Sequence, residues 1–347
     1  METSRPSTRR SVTIAGLVVV VLVVAVAAGI LLTRGPSARS VSSSSPSGAG
    51  GSVVNIVAAE NFWGSLASQL AGVHGNVTSI VSDPNTDPHQ YEASLANARA
   101  VANAKIVIFN GMEYDTWAQK LVSASASPGQ IVLDAQQIVG LPDTLATYAA
   151  VNPHLWYSPY YVNDTVHAMY SALVKVDPAD ASYFSSQYSS LNSSLYQDYM
   201  KAEQQMRAQY GGSATVSQHV LRQYSGNVSI AATESIVQFL ANATGLNIVS
   251  PIGFMFAVAA GNDPSPVDLA TFQQQLEGGN TSVRCLVYNE QTVTPLTQQM
   301  KAVAAQYGVP LAQVSETIQP PTLSFQTWMQ GEVAGLQNCL DAGAPGS

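Results

Sequence analysis

Residues 53–71 read VVNIVAAENFWGSLASQLA and contain the transition that decides the fold. The segment opens on a short β-branched run, residues 53–57, which favours a buried strand. From residue 60 to 71 the pattern changes, because Phe62, Leu66 and Leu70 recur at the spacing of one helical face. A strand followed directly by a helix predicts the first part of a βαβ unit, and therefore a parallel sheet covered by helices.

The same alternation continues towards the C-terminus. In the first half, the apolar runs and helical spacings predict strands at 77–81, 106–109 and 131–133 and helices at 91–103 and 115–123. In the second half, they predict strands at 228–231, 286–288 and 310–314 and helices at 235–243 and 295–307. Each half is therefore expected to form its own α/β unit.

Residues 178–210 separate the two halves and differ from them in composition and in the spacing of apolar residues. They contain no glycine and no internal proline, their apolar residues recur at helical intervals, and Gly211 and Gly212 follow as a stop signal. We therefore expect an α/β fold of two lobes, residues 53–177 and 213–347, each with a parallel sheet flanked by helices. One long linking helix, within residues 178–212, joins them. In such sheets ligands bind at the carboxyl ends of the strands, so both lobes should face a common cleft.

The N-terminal region reads as a membrane segment. Basic residues within 1–11 precede an apolar run at 12–32, which is 21 residues long and uncharged. That length is enough to cross a bilayer as a transmembrane helix, although a cleaved secretory signal is the alternative. The preceding positive charge orients the N-terminus towards the cytoplasm. The Ser/Gly/Pro-rich segment 33–52 is expected to tether the lobes on the extracytoplasmic face of the cell membrane.

The charge of the exported part narrows the choice of partners. Residues 53–347 contain nine basic and 21 acidic residues, a formal net charge of −12. This balance disfavours nucleic acid and suits a surface that collects cations, although acidity also keeps a protein soluble. The two cysteines, Cys285 and Cys339, are compatible with one disulfide in an exported chain, and two buried thiols are the alternative.

Two of the five histidines lie in similar loops. His89 follows Asp87-Pro88 and His154 follows Asn152-Pro153. A proline before each histidine favours an extended entry and a turn, so both imidazoles should project from loops between regular elements. Imidazole is a common donor to transition metals, and we treat the pair as candidate ligands.

Two glutamates in the second half follow predicted strands. Glu234 comes after the strand at 228–231 and is expected to open the next helix, and Glu316 comes after the strand at 310–314. Carboxylates at strand ends would face the cleft and could bind a metal. The other interpretation, which is strong for Glu234, is that the carboxylate caps or compensates a helix N-terminus.

Several motifs in register resemble one family. They are Ala59-Glu60-Asn61-Phe62-Trp63-Gly64, Asp87-Pro88-His89 with Tyr91-Glu92, Asn110-Gly111 with Tyr114-Asp115-Thr116-Trp117, Asn152-Pro153-His154-Leu155-Trp156, Ala232-Thr233-Glu234 with Gly245-Leu246, Val287-Tyr288-Asn289 with Gln291, Ser315-Glu316-Thr317, and Phe325-Gln326-Thr327-Trp328-Met329. Together they resemble the metal-binding solute receptors of manganese and zinc ABC importers, over nearly all of residues 53–342.

The resemblance implies a function and a ligand set. A receptor of this kind captures Mn(II) or Zn(II) and delivers the ion to the permease of an ABC importer, and we expect it to be a monomer and not an enzyme. The implied ligands are His89 and His154 from the first lobe and Glu234 and Glu316 from the second. The family usually has Asp where this chain has Glu316, and the His- and Asp-rich loop of some zinc relatives is absent here. The donors suit Mn(II), but zinc binds most such sites more tightly, so both ions remain candidates.

Two rival functions remain at this point. Two histidines and a glutamate also build zinc-dependent hydrolases, although the chain lacks His-Glu-x-x-His and four protein donors leave little room for an activated water. A cell-surface adhesin that uses the metal only for stability is the other. Hydrolysis assays and chelator-driven metal release from a folded protein would separate the three.

Overall fold

A computed structural model of the chain describes residues 53–86, 88, 91–141, 152–211, 228–279 and 282–344. The strands are Val54–Glu60 (β1), Gly75–Val81 (β2), Ile106–Phe109 (β3), Ile131–Asp134 (β4), Ser229–Ala232 (β5), Asn247–Ile248 (β6), Leu286–Asn289 (β7) and Leu311–Val314 (β8). The α-helices are Asn61–Ala71 (α1), Leu95–Asn103 (α2), Thr116–Ser125 (α3), Ala135–Ile138 (α4), Pro159–Val176 (α5), Ala181–Ser194 (α6), Lys201–Tyr210 (α7), Gln238–Thr244 (α8), Ile252–Ala259 (α9), Pro266–Glu277 (α10), Pro295–Gln306 (α11) and Phe325–Ala342 (α12).

The two sheets are built in the same way. The first has the order β2-β1-β3-β4 and the second β6-β5-β7-β8, and every pairing is parallel. The predicted α/β class with two parallel sheets flanked by helices is therefore confirmed. In both sheets the chain moves to one side of its first strand and then to the other. The point where the strand order reverses lies between β1 and β3 in the first lobe and between β5 and β7 in the second.

The linking helix runs from Pro178 to Tyr210, as the sequence indicates. It starts with a 3₁₀ turn at Pro178–Asp180, continues through α6 and α7, and is interrupted by a π-helical segment at Leu195–Met200. Gly211 ends it at a close approach to the second lobe, because a Cβ at this position would lie 2.5 Å from the Thr244 carbonyl oxygen. A residue with a side chain at position 211 would therefore collide with the backbone at Thr244.

One apolar core is shared by both lobes. It contains Ile56 and Ile108 from the first sheet, Tyr199 from the linking helix, and Val287 and Leu336 from the second lobe, all of them buried. Two smaller clusters cover the outer faces of the sheets, one around Val107 and Trp117 and the other around Phe272. Because a wide rotation of one lobe would expose part of the shared core, the interface favours a fixed lobe arrangement.

The disulfide prediction is confirmed. Cys285 and Cys339 form a disulfide with their Cα atoms 5.7 Å apart, which joins the residue before β7 to α12. Next to it, Arg284 Nε donates a hydrogen bond to the carbonyl oxygen of Leu340 at 2.8 Å. The C-terminal helix is thereby fastened to the edge of the second lobe where β7 begins.

The predicted membrane segment at 12–32 and tether at 33–52 lie outside the described residues. Within the part of the chain that the structure describes, no helix combines the length and the apolar character that crossing a bilayer requires. His89 and His219 also lie outside the described residues, as do residues 142–151 and 212–227.

Candidate metal centre

Polar side chains gather at the carboxyl ends of the strands of both sheets. Glu60 is the last residue of β1 and Asn110 follows β3, while Glu234, Asn289 and Glu316 lie at the ends of β5, β7 and β8. All five are buried. This is where an open parallel sheet presents its binding residues, so the strand topology places the candidate ligands of both lobes on facing edges.

His154 is held in one orientation by its neighbour Asn152. The imidazole is buried, and its Nδ1 lies 2.7 Å from the Asn152 side-chain oxygen. The Asn152 amide nitrogen donates to the Ser235 carbonyl oxygen at 3.0 Å, so its Oδ1 must be the acceptor and His154 Nδ1 must carry the proton. The neutral ring is therefore fixed as the tautomer whose Nε2 has the lone pair, which is the form that binds a metal.

Glu316 faces His154 from the second lobe. It is 4% exposed, and its Oε1 lies 4.0 Å from His154 Nε2. That distance is too long for a hydrogen bond. It is compatible with two donors that share an ion, because bonds of about 2.1 Å on each side would separate them by at most about 4.2 Å. Imidazole nitrogen and carboxylate oxygen together suit divalent transition metals.

Two further side chains orient the Glu316 carboxylate. Asn289 Nδ2 donates to Oε1 at 2.7 Å, and the Tyr114 hydroxyl donates to Oε2 at 3.0 Å from the other lobe. Burial raises the pKa of Tyr114 well above its ordinary value, and the Glu316 charge adds to this effect. The phenol therefore keeps its proton and acts as a donor. Because each carboxylate oxygen has two acceptor sites, both bonds leave room for a metal.

An unusual turn presents Tyr114. Gly111, Met112 and Glu113 all have positive φ angles, 76°, 57° and 60°. The Asp115 carboxylate stabilises this left-handed turn by accepting the backbone N–H of Asn110 at 2.6 Å and of Gly111 at 2.9 Å. Burial raises the pKa of Asp115 to about 6, against the lowering effect of these N–H groups. A side chain at Gly111 would also collide with Asp134, since its Cβ would lie 2.6 Å from Oδ1. Glycine is thus required at position 111 both by the positive φ angle and by the lack of room for a Cβ atom.

Hydrogen bonds across the lobes fix the segment that contains Glu316. The Tyr157 hydroxyl donates to the Ser315 carbonyl oxygen at 2.8 Å. Asn61 binds Ile318 twice, accepting from its N–H at 3.0 Å and donating to its carbonyl oxygen at 3.2 Å. In the first lobe, Asn110 Nδ2 donates to the Pro153 carbonyl oxygen at 2.7 Å, next to His154. These bonds hold the two candidate donors, His154 and Glu316, in position.

The expected position of Glu234 at a helix start is wrong. The following helix begins at Gln238 with Val237 as its N-cap, and residues 233–235 form a bend followed by a turn at 236–237. The bend is stabilised by backbone bonds from Thr233 N–H to Val287 and from Gln238 N–H to Ser235. Because Glu234 lies before the helix and is 2% exposed, helix capping does not explain its burial. The carboxylate therefore remains a candidate ligand at the end of β5.

His89 lies outside the described residues, but residues on both sides of it contact Trp117. The Trp117 indole N–H donates to the Pro88 carbonyl oxygen at 3.2 Å, and the Tyr91 ring packs edge-on against the indole at 4.7 Å. The other described histidines have different partners. His167 Nδ1 lies 3.2 Å from the Tyr188 hydroxyl. His74 pairs with Asp180 at 2.7 Å and, with Asp177, forms a partly exposed group at the end of α5.

The residues that sequence reasoning did not assign are those that hold the ligands in place. Asn152, Tyr114 and Asn289 all occur within the motifs quoted above, yet no pattern along the chain gives them a role. Their partners Ser235, Glu316 and Glu316 are 83, 202 and 27 residues away. One sequence feature could have identified these three residues. They lie beside predicted strand ends, in the same segments as the candidate ligands.

Comparisons with known proteins agree with this fold. A family model described as "Zinc-uptake complex component A periplasmic" matches residues 56–339. The iron-binding protein YfeA of Yersinia pestis is 24% identical over 246 residues, which cover 70% of this chain and 72% of that protein. The manganese-binding lipoprotein MntA of Halalkalibacterium halodurans is 29% identical over 134 residues, 39% of this chain and 43% of that protein. The match to MntA thus spans less than half of that relative.

The solved structures extend the agreement over most of the chain. The periplasmic zinc-binding protein TroA of Treponema pallidum aligns with a TM-score of 0.64 at 15% identity, covering 85% of this chain and 100% of that one. FpvC of Pseudomonas aeruginosa, solved in complex with Mn²⁺, aligns with a TM-score of 0.64 at 18% identity, covering 84% and 99%. At these identities the likeness establishes the fold.

Proposed function

The chain belongs to the family of zinc-uptake complex component A proteins, and we propose that it is an extracytoplasmic receptor that captures Mn(II) or Zn(II) and delivers the ion to the permease of an ABC importer. The observation that carries this proposal is the position of His154 and Glu316, one from each lobe, with donor atoms 4.0 Å apart at the carboxyl ends of the two sheets. The proteins it resembles are named for binding manganese, iron and zinc.

The proposed ligands are His89 and His154 from the first lobe and Glu234 and Glu316 from the second. Dividing the donors between lobes means that full coordination requires both lobes at once. Because the shared core and the cross-lobe hydrogen bonds already hold the lobes together, capture needs loop adjustment more than wide closure. This arrangement keeps His154 and Glu316 facing each other without a wide movement of the lobes.

The donor set is compatible with either metal. Both cysteines are joined in the disulfide, so thiolate cannot contribute and the donors are nitrogen and oxygen. Such donors accept Mn(II), while Zn(II) binds nitrogen and oxygen sites more tightly in general. We propose that supply and release rate, together with affinity, decide which ion is transported.

The location follows from the N-terminal sequence. We propose that residues 12–32 anchor the receptor in the membrane and that residues 33–52 let the lobes reach the permease as a monomer. A receptor tethered in this way stays near its transporter, which raises its effective concentration there.

The first expected result is that the exported region, residues 53–347, binds one Mn(II) or Zn(II) per chain. Glu234→Ala and Glu316→Ala should each weaken binding by about tenfold or more, because a carboxylate donor is lost while the histidines remain. Calorimetry in competition with a chelator measures both ions on the same scale. Glu277→Ala, which removes an exposed carboxylate of the second lobe, is the matched control. Wild-type affinity in both site variants would rule out the interlobe site.

The same protein tests the rival functions. A chelator should remove the metal while the protein stays folded by circular dichroism, whereas an ion with a purely structural role would be lost together with the fold. No metal-dependent hydrolysis of peptide, ester or phosphoester substrates is expected, and turnover in these assays would favour the hydrolase.

A second expected result concerns Asn152. Asn152→Leu should weaken metal binding by about 10- to 100-fold, the usual effect of losing the partner that orients a ligating histidine. The substitution removes the acceptor of His154 Nδ1–H, so the ring can rotate or take the other tautomer. Asn152→Asp retains an acceptor and should retain more affinity than the leucine variant. Equal affinities for the two variants would contradict the tautomer argument, and calorimetry decides between these outcomes.

A further inference from the structure

Gln291, in the loop after β7, binds the backbone of the candidate ligand Glu316. Its side-chain oxygen accepts the N–H of Glu316 at 2.7 Å and the N–H of Thr317 at 3.1 Å. The loop itself is fixed, because the Gln291 N–H donates to Asn289 Oδ1 at 3.0 Å, and Asn289 Nδ2 donates to the Glu316 carboxylate. Gln291 therefore fixes the backbone of Glu316 while Asn289 orients its carboxylate.

The amide nitrogen of the same side chain reaches the other lobe. Gln291 Nε2 donates to the Pro84 carbonyl oxygen at 2.8 Å. Pro84 lies in a turn that is closed by a bond from Thr86 N–H to the Asp83 carbonyl oxygen at 3.0 Å and by one from Asn85 N–H to Asp83 Oδ1 at 2.9 Å. This turn follows β2, at the carboxyl edge of the first sheet. One planar amide thus connects the turn 83–86 to the Glu316 backbone.

We propose that Gln291 is a positioning residue that sets how long the metal stays bound, by joining the turn 83–86 of the first lobe to the Glu316 backbone of the second. The inference rests on the proposed function. When an ion leaves, Glu316 must separate from the first-lobe donors, and the Gln291–Pro84 bond resists that separation. An ion that leaves through this opening also enters through it, so the bond slows metal exchange in both directions, and the release rate measures its effect.

The chemistry of the amide allows its two roles to be separated. In Gln291→Glu the carboxylate still accepts the N–H groups of Glu316 and Thr317 but cannot donate to Pro84. Gln291 Nε2 also donates to Thr317 Oγ1 at 3.2 Å, and in the variant this hydroxyl can donate to the carboxylate instead. Gln291→Met loses both roles. The added negative charge of the glutamate variant attracts the cation, so its direct effect on the metal would be slower release, and faster release reports the loss of the contact with Pro84.

A matched control exists elsewhere between the lobes. Gln69 on α1 and Gln326 on α12 exchange side-chain amide bonds, with Gln69 Nε2 donating at 3.0 Å and Gln326 Nε2 at 2.7 Å. Gln69→Glu also retains an acceptor and loses a cross-lobe donor, but neither residue bonds to Glu316. It therefore reports what loss of any cross-lobe amide bond does.

The test is the rate at which Zn(II)-loaded protein gives up its metal to a chromogenic chelator after rapid mixing. We expect release about tenfold faster in Gln291→Glu, the usual effect of one hydrogen bond, with Gln69→Glu close to wild type and Gln291→Met fastest. Wild-type release from Gln291→Glu alongside fast release from Gln291→Met would overturn the proposal, because Gln291 would then act on Glu316 alone. Equal acceleration in Gln69→Glu and Gln291→Glu would overturn it as well.

A second measurement needs no metal and separates this inference from the proposed function. In metal-free protein, hydrogen exchange at the amides of Asn85 and Thr86 should be several-fold faster in Gln291→Glu than in wild type or Gln69→Glu. Unchanged exchange there would show that Gln291 does not hold the turn, whatever the protein binds. A wild-type protein that binds neither Mn(II) nor Zn(II) would count against the proposed function and the residence-time role together.

Discussion

His154→Ala is expected to lower the affinity for Mn(II) and Zn(II) by more than about 100-fold. Loss of a residue that merely orients a ligand typically costs 10- to 100-fold, so loss of the ligand itself should exceed that range. The effect should be large here because His154 is buried and its tautomer is fixed by Asn152, so no solvent-exposed group can take its place easily. Calorimetry against a competing chelator measures the change.

The control for this prediction is another histidine. His167→Ala removes an exposed imidazole that contacts Tyr188 and should leave metal affinity unchanged. Since truncating a buried ring can also destabilise the lobe, His154→Gln provides a second variant that fills more of the space. Both His154 variants should be folded by circular dichroism and still bind weakly. Metal affinity within a few-fold of wild type in either one would remove His154 from the ligand set.

The elements that could be predicted from sequence are those whose pattern is local. The strand Ile106–Phe109 was predicted with its observed bounds. Four consecutive apolar residues between a helix and a glycine-containing loop are typical of a buried strand. The linking helix was predictable because the absence of glycine and proline favours continuity. The two lobes followed from repetition of the strand–helix alternation.

What could not be predicted depends on contacts between distant residues. The strand β6 has only two residues, Asn247 and Ile248, and exists because the edge of β5 is available to pair with it. The bend and turn at 233–237 replaced the expected helix start at Glu234 because the Thr233 N–H bonds to Val287, which lies on another strand. The π-helical segment at Leu195–Met200 likewise has no local signal in the sequence.

The candidate site likewise has a part that could be predicted from the sequence and a part that could not. The resemblance to the receptor family supplied His154 and Glu316 as candidate ligands, and the structure brings their donor atoms within 4.0 Å. Their orientation could not be derived, because it depends on the Asn152 amide meeting Ser235 and on the Tyr114 hydroxyl meeting Glu316. Motifs identify donors, whereas the fold determines which lone pair each donor presents.

Loss of the disulfide is expected to lower the free energy of unfolding by about 4 kcal/mol. The bond joins residues separated by 54 positions, and closing a loop of that length in the unfolded chain costs roughly this much conformational entropy. The effect should appear in Cys285→Ala/Cys339→Ala and in wild type treated with a reductant, measured by urea denaturation of metal-free protein. The reductant should not change the double variant. Two free sulfhydryl groups in denatured, unreduced wild type would contradict the prediction.

Metal binding should offset this loss, because an ion that binds only the folded state stabilises it. At a free metal concentration about 1,000 times Kd the gain is about 4.1 kcal/mol, close to the contribution of the disulfide. The double variant saturated with Zn(II) should therefore unfold near the urea midpoint of oxidised, metal-free wild type. The compensation requires that α12, which the disulfide fastens, is not needed to hold the ligands. Trp328 on α12 donates to Ser315 Oγ at 2.9 Å, next to Glu316, so a shortfall in the metal effect would measure how far the disulfide also supports the site.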